Sequence, residues 1–187
     1  MLRIHRYWNG DPDPAAGWTA TAISATCRGT LTEWDLGALI GAGLLAADEA
    51  TGDHRHVANI ARYALLHRYG GLWLDHDLVP LGDLTAELDP WVAGVGSRPE
   101  GFAMWFPEPG HPALAAILDE LRTMPGDGPA PARSGAQVLA AHVARHQVAV
   151  RPDLAPLDST GRVSYRGRPL AIHLWATSRE VHDASSG

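Results

Sequence analysis

The chain has 187 residues, 45% of them hydrophobic and 19% charged, with a formal net charge of −6. That length and balance fit one globular domain with a real core and exclude a disordered chain. The acidic balance argues against general nucleic-acid binding, and the most apolar run, Leu36 to Ala47, is too short and glycine-rich to span a bilayer.

All 15 basic residues are arginine, so an anionic substrate needs a local arginine, a helix N-terminus or a metal to offset the acidic balance. The single Cys27 excludes an intramolecular disulfide framework, and the opening MLRIHRYW lacks the apolar run of a signal peptide. Both point to a soluble protein of a reducing, cytoplasmic compartment.

In chain order, Leu2 and Ile4 alternate with Arg3 and His5, a strand ending near Tyr7 and Trp8. The stretch NGDPDP is a loop, and a helix is expected from Ala15 to Ala25. Thr30 to Trp34 reads as a second strand, with Asp35 capping a helix over Leu36–Ala47. The central stretch, RHVANIARYALLHRYGGLWLDHDLVPL, runs from Arg55 to Leu81. Val57, Ile60, Ala61, Ala64 and Leu65 recur at helical spacing, and Gly70 and Gly71 stop that helix. Leu72, Trp73 and Leu74 follow as a short buried strand.

Trp91 to Val95 and Phe102 to Phe106 read as strands around the turn-forming SRPEG. His111 to Met124 is an amphipathic helix with Leu114, Ile117, Leu118 and Leu121 on one face. Ser134 and Gln137 make a capping box for a helix reaching about His146. Val148–Val150, Val163–Tyr165 and Leu170–Trp175 are expected to close the fold, the last two as a hairpin through Arg166–Arg168. The pattern predicts an α/β, Rossmann-like single domain over 1–180, with a mixed central sheet flanked by helices and a flexible tail over 181–187.

The chemistry concentrates after Leu74. Asp75 and Asp77 flank His76, and residues two apart in a strand face the same side. Two carboxylates converging where an α/β sheet opens to its ligand suit a hard divalent cation. The plain alternative is a solvated strand end. Arg62 lies one helix earlier, with Asn59 three residues before it on the same face.

The run N-x-x-R-Y…L-x-x-Y-G-G-L-W-L-D-x-D resembles the signature of DXD-containing glycosyltransferases of the sugar-binding-region family. That family includes initiating α-1,6-mannosyltransferases and the glucosylating domains of large bacterial toxins. The opening I-H-R-Y-W-N-G, the segments P-G-H-P-A-L and S-G-A-Q-V-L, and the late His173 resemble further family segments in the same order. The resemblance implies a GT-A fold and a retaining, metal-dependent hexosyl transfer from a UDP- or GDP-linked sugar to an acceptor it does not name. It implies that Asp77 binds Mn²⁺ or Mg²⁺, that Asp75 bridges sugar or ribose and the metal shell, and that Arg62 contacts sugar and diphosphate. Trp8 either stacks on the nucleobase or ends a strand as a core aromatic. His173 either completes the metal shell or ends a core strand. Asn59 stands where the family usually has aspartate, and Trp73 where it usually has tyrosine, both on the substrate side.

Two other functions fit parts of the pattern. D-H-D-L-V also resembles the phosphate-transfer motif of haloacid-dehalogenase-like phosphatases, with Asp75 as nucleophile and Asp77 as acid/base. That chemistry expects a downstream lysine, and the chain has none. A catalytically degenerate sugar-nucleotide or glycan binder is the second. His142 and His146 have i, i+4 spacing, but no glutamate follows His142, so a solvated helix face is expected there.

Overall fold

The computed structural model describes residues 2–8, 16–51, 53–124, 135–154 and 169–173. The expected hairpin strand over Val163–Tyr165, the boundary near residue 180 and the tail lie outside these. The described elements are β1 (Arg3–Tyr7), α1 (Ala16–Thr26), β2 (Thr30–Trp34), α2 (Leu36–Gly41), α3 (His54–Tyr69), β3 (Gly71–Leu74) and β4 (Leu78–Pro80). β5 (Trp91–Val95), β6 (Arg98–Phe106), α4 (Pro112–Thr123), α5 (Ala136–Arg145), β7 (Ala149–Arg151) and β8 (Ala171–His173) follow.

Six strands form a mixed sheet in the order β2-β1-β3-β6-β5-β7, and β4 pairs with β8 in a separate two-stranded sheet. β1 runs parallel to β2 and β3, whereas β6 is antiparallel to both β3 and β5. Both faces of the sheet are covered, which is why β3 reads as a continuous apolar run. Trp73 joins the core on the side of α3, α4 and α5, while Leu72 and Leu74 join the core that also holds Ile23 of α1 and Leu78 of β4.

The central helix is bounded as its sequence suggests, with Asp53 accepting from Arg55 N at its start and Gly70 at φ 63° ending it. The helix over Leu36–Ala47 is shorter than expected. Gly43 takes φ 66°, and Leu44 N reaches back to Leu39 O at 3.0 Å while Gly43 N bonds Ile40 O at 2.9 Å. This paired return of backbone donors closes the helix after one and a half turns. The segment SRPEG is mostly strand, because the turn of the β5–β6 hairpin is Gly96–Ser97, with Gly96 at φ 61° and Val95 paired with Arg98. Helix α5 has Gly135 at its N-cap with no side-chain cap bond, and Ser134, expected as the capping residue, lies outside the described residues. His142 is buried rather than solvated, with Nε2 2.9 Å from Glu120 Oε2.

His5 ties β1 to the end of α3. Its Nε2 lies 3.0 Å from Gly70 O, and its Nδ1 accepts from Trp34 Nε1 at 3.2 Å. Those partners fix the neutral ring with the proton on Nε2. Burial, partly offset by the Gly70 carbonyl, lowers the His5 pKa to about 4. An unfolded histidine binds its proton near pH 6.5, so stability falls as pH drops from 6.5 toward 4 and levels off below. The expected loss is about 3 kcal/mol. Denaturant unfolding at pH 7 and pH 4.5 checks it: His5→Gln, which does not titrate, should lose less by about that amount. An equal loss in both proteins would rule His5 out as the source.

Candidate functional site

The site lies where β1 and β3 end side by side. Their parallel register, His5 opposite Trp73, sets Trp8 and Asp75 at neighbouring strand ends. Asp75 is anchored by its backbone, whose N–H donates to Phe102 O at 2.7 Å, and by Trp73 Nε1, which donates to its Oδ1 at 2.8 Å. Asp75 and Asp77 do not converge by strand alternation, because both lie beyond β3. A turn closed by Leu78 N on Asp75 O at 3.2 Å brings them to one side.

The third member comes from far along the chain. β4 pairs antiparallel with β8, Leu78 opposite His173, and this register sets the imidazole beside Asp77 with Nε2 3.2 Å from Oδ1. The Phe102 ring supports it, with centroids 4.5 Å apart. One ligand atom each from Asp75, Asp77 and His173 lies within 4.8 Å of the others. Asp77 and His173 are both buried, and Asp75 is half-buried. Two carboxylates and one imidazole at that spacing fit a single divalent cation, the hard oxygens suiting Mg²⁺ and the added nitrogen suiting Mn²⁺.

Arg62 projects from α3 toward the same edge. Its Nη2 is 3.5 Å from Asp75 Oδ1, and its Cζ stands 5.3 Å from the centre of the Trp73 ring. Trp73 is itself only 2% exposed, so in this structure it meets the site through its indole N–H and its ring face. Trp8 is half-buried, its ring 5.2 Å from that of His76. The Asn59 amide lies against Gly135 at the start of α5, and Asn59 is 5% exposed.

Sequence reading missed Glu100. The carboxylate sits on β6, 2.7 Å from Arg98 Nη2 and within electrostatic range of His173 and Arg62. Burial pushes its pKa up, against the pull of the Arg98 and Arg62 guanidiniums. No motif marks it, and only the pairing of β6 with β3 brings it near. Tyr63, the residue after Arg62 in α3, has its pKa pushed up to about 12 by burial.

Residues 44–95, which span α3, β3 and the Asp75–Asp77 turn, match the family model of the glycosyltransferase sugar-binding region containing DXD motif. No curated protein matches the chain. Among solved structures, a chain titled PaToxG Glycosyltransferase is similar with a TM-score of 0.55 at 11% identity, covering 76% of this chain and 68% of that one. At that identity the likeness concerns the fold. The chain thus has an α/β fold similar to that of a glycosyltransferase. Its residues 44–95 match the model of the sugar-binding region of the DXD-containing glycosyltransferases, the family that its sequence resembles.

Proposed function

We propose that the protein is a metal-dependent, retaining glycosyltransferase that moves a hexosyl group from a UDP- or GDP-linked sugar to an acceptor. The observation that carries this reading is the meeting of Asp75, Asp77 and His173 around one point, with the Arg62 guanidinium at its edge. A divalent cation bound there supplies Lewis-acid stabilisation of the charge that builds on the departing nucleoside diphosphate. Asp77 and His173, both buried, would hold it, and Asp75 would reach it while facing the sugar or ribose. Arg62 offers a second positive charge to the diphosphate, and Trp8 at the end of β1 offers a ring face to the base. Asn59 is an amide in place of a carboxylate and contributes to donor choice. The retained configuration and the donor classes rest on the family resemblance. The lone Cys27, buried and unpaired, suits a cytoplasmic setting, and no helix among the described residues is long and apolar enough to cross a membrane.

A thermal-shift panel of UDP-, GDP- and dTDP-sugars, each with Mn²⁺ and with chelator, tests the reading. One donor class should raise the unfolding midpoint, and chelator should abolish the rise. No shift with any donor, or a shift indifferent to chelator, would sink it.

Trp73 supplies a finer test. Trp73→Phe keeps an aromatic face under Arg62 and removes the N–H that holds Asp75 Oδ1 at 2.8 Å, together with part of the buried indole, so the unfolding midpoint is read beside turnover. A hydrogen bond to a charged group of this kind sets an expected loss of about tenfold in turnover. Full turnover in the variant would show that Asp75 needs no such anchor.

A further inference from the structure

Arg62 reaches the site by passing close over Gly101, a residue of β6 with no side chain. The guanidinium has few directional ties: Nη2 is 3.5 Å from Asp75, and Nε is buried without a hydrogen-bond partner among the described residues. Its place is therefore set mainly by the surfaces around it. One is the Trp73 ring, with Cζ 5.3 Å from its centre. The other is the backbone of Gly101. A Cβ there would collide with Arg62 Nη1 and sit 3.4 Å from Cζ and 3.5 Å from Cδ.

The backbone itself does not demand glycine at this position, because Gly101 is not among the glycines with positive φ. A glycine inside a strand costs stability and marks a place where something approaches closely. Here the approaching group is Arg62.

We propose that Gly101 is a positioning residue for the transfer reaction: its bare Cα is the seat that lets Arg62 lie between β6 and Trp73 and point its charge at Asp75. The proposal rests on the reading of the site as a sugar-nucleotide transferase. It makes the group at 101 a control on the donor diphosphate contact, through Arg62 and not through the substrate.

A double-mutant cycle of wild type, Gly101→Ala, Arg62→Ala and the double variant tests it, with two readouts. The first is Mn²⁺-dependent hydrolysis of UDP-glucose and GDP-mannose. Gly101→Ala should reduce turnover about 10²-fold, the usual effect of misplacing a positioning group by an ångström, and should add no loss once Arg62 is alanine. The second is the unfolding midpoint. Gly101→Ala should lower it by about 2–4 °C when Arg62 is present, and leave it unchanged or higher when Arg62 is absent.

Wild-type turnover in Gly101→Ala, or additive midpoint shifts in the cycle, would overturn the seat. Absence of turnover in the wild type would count against the transferase reading alone. The midpoint cycle would then still decide the seat, coupling supporting it and additivity overturning it.

Discussion

Asp77→Ala should cut Mn²⁺-dependent sugar-nucleotide turnover by about 10²–10³-fold, the usual cost of removing one preorganised charge from a reacting centre. Asp77 is the better of the two carboxylates to remove. It is 9% exposed and faces His173 at 3.2 Å, whereas Asp75 is also engaged by Trp73 and Arg62. Deleting Asp77 therefore takes away one proposed metal ligand while leaving the Asp75–Arg62 arrangement standing. Asp77→Asn separates charge from shape, because the amide keeps the volume and a hydrogen-bonding oxygen but loses the negative charge. Both variants should lose activity while unfolding within a few degrees of wild type. Chelator should bring wild type to the same level and change the variants little. Wild-type turnover from Asp77→Asn would mean that the cation, if one is used, is held elsewhere.

The second large effect is on folding. Gly71→Ala is expected to destabilise the protein by about 3 kcal/mol or more, from left-handed backbone strain and steric conflict together. Gly71 has φ 98°, and a Cβ on it would strike the carbonyl oxygen of Arg3 in the adjacent strand. Backbone cannot swing aside as a side-chain tip can, so the parallel pairing of β1 with β3 has to open. The unfolding midpoint should fall by roughly 6–12 °C. Because β1 and β3 deliver Trp8 and Asp75 to the site, turnover should fall with it. A midpoint within two degrees of wild type would show that the strand pair adjusts more freely than its geometry suggests.

Local signals survived the passage from sequence to structure best. The spacing of Val57, Ile60, Ala61, Ala64 and Leu65 marks a buried face of α3, and Gly70 and Gly71 end it with positive φ. Both are decided within a few residues, where helical periodicity and glycine's backbone freedom dominate. The convergence of Asp75 and Asp77 was legible too, but for another reason: a turn gathers them, and strand alternation does not.

Nonlocal pairings were hidden. Nothing in the tripeptide Leu78–Pro80 announces a strand, since three residues carry no readable period, yet its pairing with Ala171–His173 brings the late histidine beside Asp77. Glu100 was unmarked for the same reason, its place depending on how β6 lies beside β3. The neighbours of Asn59 and Arg62 were hidden as well, since helical spacing does not say that the first meets Gly135 and the second Gly101. The truncation of α2 was written in Gly43 and was masked by the apolar composition of Leu36–Ala47.

Whether Asp75, Asp77 and His173 hold one divalent cation beside the nucleotide, as proposed, is measured by manganese electron paramagnetic resonance without relying on catalysis. Titrating Mn²⁺ into the protein with UDP or GDP present should show one ion leaving the free-manganese signal per chain. That binding should be lost in Asp77→Ala and weakened in His173→Ala. A free-manganese signal undiminished by the wild-type protein, or equal binding by wild type and Asp77→Ala, would contradict the site.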